Sequence, residues 1–531
     1  MNGHYLYYLK PSIKAEPLIW QWYAWSYLIP PHTAGCNILD RHIRIMQSYI
    51  QAPQVHEQAV KNPKFLGGPF IDLVGNQSDA IKELLELTQK DCHHLISVAK
   101  ALKEWDRVLQ TEAVGDSLEN LYTRIPDQIK GLIELVYDTH NHPSIRLVEA
   151  LFYKKYYTTQ NQCIALSDTT TDYRPFVLST PRLKKETEVY LKLGFDDERL
   201  DALFSMRSLP KKYGEIREAF NISPTEEALM KTFFTEVPPE LPESKHYTGD
   251  GVRLRYFGHA CVLIQSDSTS ILIDPVISYK FDSNLPRYTF EDLPDKIDYV
   301  LVTHNHQDHV LLETLIQLRH KVEHVVFPNS QKGSLIDPSL RLILKTLGFR
   351  SLVGLDDFES LSIPNGEITG LPFFGEHSDL NIQTKLAHFI MLKGRRFIFA
   401  ADSNNIDDRL YDYIFEFIGS IDILFLGMEC DGAPLSWLYG ALLTDPIKRS
   451  YDNNRTLSGS NCEKAWSIVK KSKCKQTYIY AMGQEPWLNH IMALKYSENS
   501  LQIIESNKLI DKCRESGIAA ERLYGKKEWV V

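Results

Sequence analysis

The chain has 531 residues, of which 43% are hydrophobic and 24% are charged, and its formal net charge is −9. This length exceeds what one hydrophobic core serves, so the sequence predicts two domains. The negative charge gives no general attraction to nucleic acid or to an anionic membrane, and no apolar run is long enough to span a bilayer. We therefore expect neither nucleic acid nor a membrane as a partner.

The start of the chain and its cysteines indicate a cellular compartment. Residues Met1–Lys14 contain no apolar segment of the kind found in secretory signals. The eight cysteines are scattered through the sequence without a C-x-x-C pair, which favours free thiols over a zinc finger or a redox pair. A cytoplasmic location is the expectation.

The N-terminal part of the chain, residues 1–245, carries mainly helical patterns. Trp20–Trp25 is an aromatic cluster without interleaved Lys or Arg, so packing in a core or a subunit interface is favoured over base stacking. Apolar residues recur at helical spacing over Ser78–Trp105, which predicts a long amphipathic helix or a broken pair with Ser78 as its N-cap. Further helices are predicted over Ile125–Tyr137 and Glu186–Leu193. We expect a mixed, largely helical domain without a Rossmann or P-loop glycine motif.

A proline-rich, acidic stretch at residues 236–246 is the predicted linker between the two domains. The periodicity becomes strand-like directly after it, so residues 247–531 are predicted to form the second domain. The predicted strands are Val252–Phe257, Cys261–Gln265, Ser270–Ile273, Ile297–Val302, Glu323–Phe327, Ile368–Phe374, Ala387–Leu392, Arg396–Phe399, Ile421–Leu426 and Gln476–Tyr480. The predicted helices are Pro338–Leu347, Asp407–Phe417 and Asn461–Lys471, the last with a capping box from Ser460 to Glu463.

The stretch Leu301–Val310, LVTHNHQDHV, is the strongest functional signal, and we call it the His loop. It follows an apolar strand and contains His304, His306, Asp308 and His309. The first two histidines can hold one cation while the aspartate and the third histidine reach a second. Imidazole and carboxylate groups are ligands for zinc, iron or manganese, so the loop predicts a metal site.

A second stretch of the sequence shares part of this motif and can be compared with it. Thr139–His142 repeats the letters Thr-His-Asn-His but continues into Pro143 and Ser144. This second copy lacks the acid and the third histidine. We interpret it as a surface turn.

Three ordered motifs make the second domain similar to the metallo-β-lactamase fold. They are Phe257–Ala260, Ile271–Pro275 and the His loop. The resemblance implies an αββα sandwich with a two-metal site between the sheet edges, and further ligands near Gly375–Asp379 and Ala401–Ser403. Asp402 resembles the bridging aspartate of that fold.

Two departures from the hydrolytic members of this fold bear on the chemistry. Hydrolytic relatives usually place a histidine after the strand at Ile368–Phe374, where Glu376 and His377 compete in this chain. Many also place a late histidine after the last strand, whereas this chain has Tyr480–Gln484 there and its nearest histidine, His490, is interpreted as a core or surface residue. If Glu376 is the ligand, one site has two histidines and a carboxylate, the set typical of non-haem iron oxygenases.

Together with the length and the segments Gln21–Trp25 and Gly67–Asp72, this ligand pattern resembles the family of diiron β-hydroxylases that includes the one of chloramphenicol biosynthesis. The resemblance implies iron at both sites, with Glu376 and Asp402 as the catalytic carboxylates. The implied ligands are His304, His306 and Glu376 for one iron, and Asp308, His309 and Asp402 for the other.

The same resemblance implies a substrate and partners. Members of that family hydroxylate the β-carbon of an amino acid held as a thioester on a peptidyl carrier domain of a nonribosomal peptide synthetase. O₂ is the co-substrate, an external donor supplies electrons, and the N-terminal domain serves dimerisation and access of the carrier arm. The alternative function is a dinuclear zinc hydrolase acting on a thioester, lactone or phosphodiester. A scaffold protein stabilised by metal is disfavoured because the ligand set is complete.

Four further features could support such a site. His377 is either the rival ligand to Glu376 or a hydrogen-bond donor behind the ligands. Glu429 could orient a ligand or meet the substrate, and Asp274 is expected to support the His loop without binding metal. The polar segment Thr444–Gly459 could cover the site or form an edge for docking an acidic carrier, although a solvated loop is the default interpretation.

Overall fold

The structure is a computed structural model, and it describes residues 5–240, 242 and 245–531. Three residues of the predicted linker 236–246 lie outside these ranges, so the position of the domain boundary remains a prediction. Within the described ranges, no helix has the length and apolarity needed to cross a membrane.

The N-terminal half is mixed, as predicted, and its helices contain more residues than its strands. The described strands make three small sheets with the orders β8-β1-β9, β3-β2-β6-β7 and β4-β5. The strands are β1 Leu6–Leu9, β2 Ile13–Ile19, β3 Trp22–Tyr23, β4 Ile133–Tyr137, β5 Pro143–Leu147, β6 Gln162–Asp168, β7 Val189–Leu191, β8 Lys211–Lys212 and β9 Phe234–Thr235. The helices are α1 Pro31–Asn37, α2 Ile43–Gln51, α3 Pro53–Val60, α4 Ser78–Asp91, α5 His93–Glu112, α6 Glu149–Tyr156, α7 Glu198–Ser205, α8 Tyr213–Phe220 and α9 Pro224–Thr232.

Two predictions for this half are confirmed. The aromatic cluster is core, since Trp22, Tyr23 and Trp25 are at most 3% exposed. The pattern that begins at Ser78 is a broken pair of helices, α4 and α5, interrupted at Cys92. The N-cap of α4 is Gln77, however, and not Ser78, whose hydroxyl donates to Asn76 Oδ1 at 2.6 Å.

The helices predicted over Ile125–Tyr137 and Glu186–Leu193 are wrong. The first range ends in strand β4, which pairs with β5, and the second contains strand β7, which pairs with β6. In β7 the side chains of Val189 and Leu191 are buried and alternate with a half-buried tyrosine. A short apolar run can satisfy either periodicity, and pairing with a distant strand decides the outcome here.

The C-terminal half contains two seven-stranded sheets within the described residues. One has the order β15-β14-β13-β12-β11-β10-β23 and the other the order β16-β17-β18-β19-β20-β21-β22. The strands are β10 Arg253–Gly258, β11 Cys261–Gln265, β12 Ser270–Ile273, β13 Ile297–Leu301, β14 Val322–Pro328, β15 Leu352–Leu355, β16 Ser360–Ile363, β17 Gly366–Leu371, β18 Ala387–Leu392, β19 Arg395–Phe399, β20 Ile423–Gly427, β21 Gln476–Tyr480, β22 Ala519–Arg522 and β23 Lys527–Val530. The helices are α10 Leu312–Leu318, α11 Leu340–Thr346, α12 Arg409–Ile418, α13 Leu435–Tyr439, α14 Arg449–Asp452, α15 Cys462–Ser472, α16 Asn489–Met492 and α17 Leu501–Glu515.

These sheets pack face to face and carry helices on their outer faces, which confirms the αββα sandwich. Residues such as Val262 and Ile271 of the first sheet meet Ile390 and Phe425 of the second in one buried cluster. The outer face of the second sheet packs against α12, α15 and α17. The buried apolar faces on both sides of each sheet explain why central strands read as continuous hydrophobic runs.

The N-terminal half covers the outer face of the first sheet. One continuous buried cluster contains Leu272 and Val300 of that sheet, Leu315 of α10, and Tyr27 and Leu28 of the N-terminal half. The two halves therefore share a hydrophobic core and are held together by burial of apolar surface.

A buried network of charges joins the halves beside the His loop. Arg174 Nη1 donates to Glu16 Oε1 at 3.2 Å and to Glu313 Oε2 at 2.7 Å. The hydroxyls of Tyr23 and Tyr279 donate to the same Glu313 carboxylate, each at 2.6 Å. Because Glu313 lies in α10, directly after the His loop, this network ties the loop to the N-terminal half.

Each strand predicted in the C-terminal half overlaps an observed strand, but the capping box from Ser460 to Glu463 is wrong. Asn461 is the N-cap of α15, and its side chain accepts from the backbone N–H of Lys464 at 3.1 Å. The Ser460 hydroxyl instead donates to the carbonyl of Ser403 at 2.8 Å. Ser460 thus anchors the turn that follows Asp402.

Candidate metal centre

The His loop leaves β13 at one edge of the sandwich, where the turns after β12, β17, β19 and β20 also end. All four predicted ligands of the loop are buried, and His304 and His309 are fully so. Their imidazole rings lie 4.0 Å apart between centroids. The loop is therefore packed into the protein, in contrast with the copy at Thr139–His142, which is an exposed turn as predicted.

One candidate group consists of His304, His306 and Glu376. The Nδ1 atom of His306 lies 2.7 Å from Glu376 Oε1, and the Nε2 atom of His304 lies 3.9 Å from Glu376 Oε2. The three ligand atoms lie within 4.8 Å of one another, which is the spacing that a single shared cation requires.

A second group surrounds His309. Its Nε2 atom lies 3.5 Å from Asp308 Oδ2 and 3.0 Å from Asp402 Oδ2. The same Asp402 oxygen lies 3.7 Å from His304 Nε2 in the first group. Asp402 therefore stands between the two groups, in the position that a bridging carboxylate would occupy.

His259 forms a further candidate group with Asp308 and His309, although the sequence singled it out only as part of a fold motif. Its Nε2 atom lies 3.0 Å from Asp308 Oδ2, while its Nδ1 atom accepts the backbone N–H of Gly483 at 3.1 Å. Since Nδ1 is an acceptor, the proton sits on Nε2 and is donated to Asp308. His259 thus orients Asp308. The sequence signal that could have identified this role of His259 is the Gly258-His259 pair in a tight hairpin.

Asp274 supports the loop from beneath. One carboxylate oxygen accepts from the Thr303 N–H at 2.8 Å, and the other accepts from the Thr303 hydroxyl at 2.7 Å and from His309 Nδ1 at 2.8 Å. With its Nδ1 proton held in this way, His309 presents the Nε2 lone pair to the metal centre.

His377 lies behind His306 and not among the candidate ligand groups. Its Nδ1 atom is 3.1 Å from His306 Nε2 and 3.0 Å from the hydroxyl of Tyr439, which is itself 2.7 Å from His306 Nε2. Both residues approach His306 at Nε2, and His377 Nδ1 also lies 2.9 Å from Glu376 Oε2. Tyr439 was not identified from the sequence, because its approach depends on a fold contact across more than 130 positions.

Glu429 is partly exposed and faces the carboxylates of the centre from the turn after β20.

His490, interpreted from the sequence as a core or surface residue, is a buried core residue. Its ring packs edge-on against Tyr23 with centroids 5.8 Å apart. The segment after β21 binds His259 through the backbone N–H groups of Ala481 and Gly483. Main-chain contacts to His259 thus stand where many hydrolytic members of this fold have a histidine after the last strand.

The default interpretation of Thr444–Gly459 as a solvated loop holds for most of residues 445–454, which are exposed, but not for residues 455–459. The Arg455 guanidinium donates twice to the carbonyl of Ser378, at 2.7 and 3.0 Å, and the Asn404 amide donates to the carbonyl of Ser458 at 2.9 Å. The end of the segment, residues 455–459, therefore packs on the two turns that carry Glu376 and Asp402.

Several residues of the centre occupy the left-handed backbone region. The φ angle is 69° at Glu376, 51° at His259, 37° at Asp274 and 47° at Ala401, directly before Asp402. Non-glycine residues with positive φ are uncommon and are held in place by surrounding contacts. Their concentration at these strand ends shows that the fold maintains strained turns in order to place these side chains.

The pKa shifts reflect a dense set of opposite charges. Burial lowers the pKa of His309, but the carboxylates of Asp308, Asp274 and Asp402 outweigh this effect and raise it well above the usual value. Burial raises the pKa of Glu376, but the neighbouring histidines lower it well below the usual value. In the absence of cations, protonated imidazoles thus balance the buried carboxylates, and bound metal can replace those protons.

The residues present fit a pair of iron ions. His304 Nε2 and Asp402 Oδ1 are buried and have no hydrogen-bond partner within the described part of the chain. Such atoms are costly to bury unless something pairs with them. Their chemistry, imidazole nitrogen and carboxylate oxygen without thiolate, suits iron in an oxygenase.

The fold and the paired ligand groups define the class, a metallo-β-lactamase-fold protein with a candidate dinuclear metal centre. Residues 269–433 match the family described as beta-lactamase superfamily domain, and residues 8–238 match the diiron non-heme beta-hydroxylase N-terminal domain. The chain belongs to the diiron non-haem β-hydroxylase family and is an O₂-dependent oxygenase. The family predicted from the sequence is confirmed.

Similarity to characterised members of that family extends over the whole chain. The chain is 38% identical over 98% of its length to the 4-amino-L-phenylalanyl-[CmlP-peptidyl-carrier-protein] 3-hydroxylase of Streptomyces venezuelae, of which 98% is covered. The crystal structure of CmlA, a diiron β-hydroxylase from S. venezuelae, superposes with a TM-score of 0.92 at 36% identity and covers 99% of this chain and 100% of that one.

A shorter similarity links part of the chain to a hydrolase. A stretch of 60 residues is 40% identical to a metal-dependent hydrolase of Pyrobaculum islandicum, which amounts to 11% of this chain and 25% of the relative. This match is local.

Proposed function

We propose that the protein hydroxylates the β-carbon of an amino acid held as a thioester on a peptidyl carrier domain of a nonribosomal peptide synthetase. The observation that carries this proposal is the 38% identity over 98% of both chains with a hydroxylase whose name specifies an aminoacyl group on a peptidyl carrier protein. The matching region includes the N-terminal half as well as the metal domain, so the likeness covers more than the metal motif.

The proposal includes the residues that hold the irons. The ligands are His304, His306 and Glu376 for one iron, Asp308 and His309 for the other, and Asp402 between them. Three groups of ligand atoms within 4.8 Å support this assignment, namely His304 with His306 and Glu376, His304 with His309 and Asp402, and Asp308 with His309 and His259. Asp402 lies between His304 and His309.

Glu376 is the proposed ligand in preference to His377. The Glu376 carboxylate lies on the Nδ1 side of His306, at 2.7 Å, next to His304. His377 belongs to none of the candidate ligand groups of the described residues, and its Nδ1 atom lies 3.1 Å from His306 Nε2 and 2.9 Å from Glu376 Oε2, where it can hold both side chains. We propose that His377 and Asp274 support the ligands through hydrogen bonds, and that Glu429 lines the approach to the centre.

Iron held in this way supplies O₂ activation, in which one oxygen atom is inserted into the β-carbon–hydrogen bond and the other becomes water at the expense of two external electrons. The side chains of the protein hold the reacting groups in position and protect the reaction from solvent. Glu376 and Asp402 would contact the irons directly and are the proposed catalytic carboxylates. The buried His loop and the packed residues 455–459 keep bulk water from the ligands, which strengthens the electrostatic interactions within the site.

The proposed partners follow from the substrate and from the resemblance. A carrier domain presents the aminoacyl group, a separate donor supplies the electrons, and two copies of the chain form a homodimer. A cytoplasmic location agrees with the cysteines, all of which are free thiols in the described structure.

Metal analysis separates this proposal from a dinuclear zinc hydrolase, which the short match to a metal-dependent hydrolase favours. The protein is purified from cells supplied with both metals and examined by elemental analysis and Mössbauer spectroscopy. We expect two irons per chain with the spectrum of a coupled pair. Two bound zinc ions in place of iron contradict the oxygenase.

A matched pair of variants tests the ligand assignment. His304→Ala removes a proposed ligand, whereas His140→Ala alters the exposed second copy of the same four letters. Iron content should fall in the first variant and stay at the wild-type level in the second. Full iron occupancy in His304→Ala contradicts the assignment.

A further inference from the structure

The side of His306 that faces away from the centre has a specific partner. His306 Nδ1 is directed at Glu376 Oε1, 2.7 Å away, and is the nitrogen available to a metal. The ring's proton must then reside on Nε2, where the hydroxyl oxygen of Tyr439 lies 2.7 Å away and accepts it. Tyr439 is fully buried, so water does not substitute for this contact.

The hydroxyl of Tyr439 is itself held from the other side. Its single proton can be donated to His377 Nδ1, at 3.0 Å, or towards the hydroxyl of Tyr27, whose ring packs edge-on against Tyr439 with centroids 6.1 Å apart. Tyr27 in turn donates to the carbonyl of Ile336 at 3.0 Å. A line of polar contacts thus runs from a proposed iron ligand to the N-terminal half.

The backbone that carries Tyr439 is also fixed by the N-terminal half. Tyr439 is the last residue of the short helix α13, whose final carbonyls lack partners within the helix. The Arg41 guanidinium donates to the carbonyls of Trp437 and Leu438, at 3.0 and 2.8 Å. The Lys103 ammonium donates to the carbonyls of Ala441 and Leu443, at 2.8 and 2.9 Å.

Both cations come from outside the metal domain. Arg41 precedes α2, and Lys103 lies on α5, where it is also paired with Asp40 at 2.7 Å. Positive charge at the end of a helix stabilises its exposed carbonyls and sets the position of its last turn. The N-terminal half therefore determines where the Tyr439 hydroxyl stands.

We infer that Tyr439 is a positioning residue for iron-bound His306, and that Tyr27, Arg41 and Lys103 of the N-terminal half set its place. This inference rests on the proposed function only in taking His306 as an iron ligand. It assigns the N-terminal half a role in building one of the two iron sites, independently of any carrier domain that this half contacts.

The test compares Tyr439→Phe with the wild-type protein after loading both with ⁵⁷Fe. The substitution keeps the ring and removes only the hydroxyl. We expect the Mössbauer subspectrum of one iron to shift while that of the other stays unchanged, and a chelator to withdraw the affected iron about 10-fold faster or more. Tyr27→Phe should shift the same subspectrum by a smaller amount.

The control is Tyr49→Phe, which removes another tyrosine hydroxyl of the N-terminal half. Tyr49 bonds to the backbone of Gly75 and Gln77, and neither contact belongs to the metal centre. This variant should have the wild-type spectrum and the wild-type rate of iron release. Arg41→Gln should reproduce the Tyr439→Phe shift, and if that variant fails to fold, Tyr27→Phe still tests the contribution of the N-terminal half.

Two results overturn the inference. One is a Tyr439→Phe spectrum and release rate identical to those of the wild type, and the other is an equal change in both subspectra, which indicates general disturbance of the domain. If the wild-type protein holds zinc and no iron, the proposed function fails separately. The chelator assay is then run on zinc, and equal release rates overturn the inference.

Discussion

Asp274→Asn is expected to disable one iron site without removing any proposed ligand. The Asp274 oxygen that bonds His309 Nδ1 also accepts from the Thr303 hydroxyl. In the variant, an NH₂ group at that position meets two donors. His309 can relieve the conflict by moving its proton to Nε2, so that Nδ1 accepts from the amide. The proton then blocks the nitrogen that lies 3.0 Å from Asp402.

The size of this effect follows from the role of the hydrogen bond between Asp274 and His309. Asp274 is fully buried, and this bond fixes the His309 ring in the tautomer that can bind metal. Removing a partner of this kind usually weakens metal binding 10- to 100-fold, which corresponds to about 1.4–2.7 kcal/mol. We expect the second iron to be lost to a chelator that leaves the wild-type pair intact.

The assay is a titration of ⁵⁷Fe-loaded protein with a competing chelator, followed by Mössbauer spectroscopy to identify which iron has left. Asp138→Asn is the control, because Asp138 likewise accepts two N–H donors next to histidines, but in the exposed turn of the second copy. Its iron affinity should be that of the wild type. If Asp274→Asn binds two irons with unchanged affinity, the proposal that Asp274 fixes the tautomer of His309 is refuted.

Three further predictions concern chemistry and stability. Glu376→His should retain metal but lose or redirect its reaction with O₂, measured by stopped-flow absorbance, and retained hydroxylation contradicts Glu376 as a ligand. Glu313→Ala leaves Arg174 with only part of its buried partners and should lower the free energy of unfolding by about 3–5 kcal/mol in denaturant titrations, whereas the exposed Glu198→Ala should have little effect. Burial raises the pKa of Glu149 from 4.5 to about 7, so its contribution to stability is present below pH 4.5 and is lost as the pH rises through 7. Glu149→Gln should therefore gain roughly 3 kcal/mol relative to the wild type between pH 4 and pH 8, and an unchanged difference contradicts the shift.

The sequence was sufficient for the αββα sandwich because its central strands are long apolar runs with sharp turn signals, and because the His loop follows one of them directly. The sequence-based prediction failed where the hydrophobic pattern is short or is compatible with both a helix and a strand. β4 and β7 were predicted as helices, and the edge strands β22 and β23 were not predicted, since four half-exposed residues carry little periodicity.

The site was predictable to the extent that its residues are close in sequence. His304, His306, Asp308 and His309 form one motif, and Glu376 and Asp402 follow strands in a fixed order. Supporting residues such as Tyr439 and Arg455 lie on other segments and reach the centre only through tertiary packing. No local pattern distinguishes them from other buried or surface residues.

The choice between oxygenase and hydrolase depends on the observation that Glu376, and not a histidine, faces His306 Nδ1. His490, the nearest histidine after the last strand of the site, packs in the core away from the centre. The same His loop is compatible with either chemistry. Its distant partners determine which metal the site favours.

The most direct test of the account is a reaction under ¹⁸O₂ with an aminoacyl group loaded on a carrier domain, followed by mass spectrometry of the intact carrier. The account predicts that the iron-loaded, reduced protein adds one oxygen atom that carries the ¹⁸O label, while the thioester stays intact. Release of the amino acid from the carrier without any gain of labelled oxygen contradicts it.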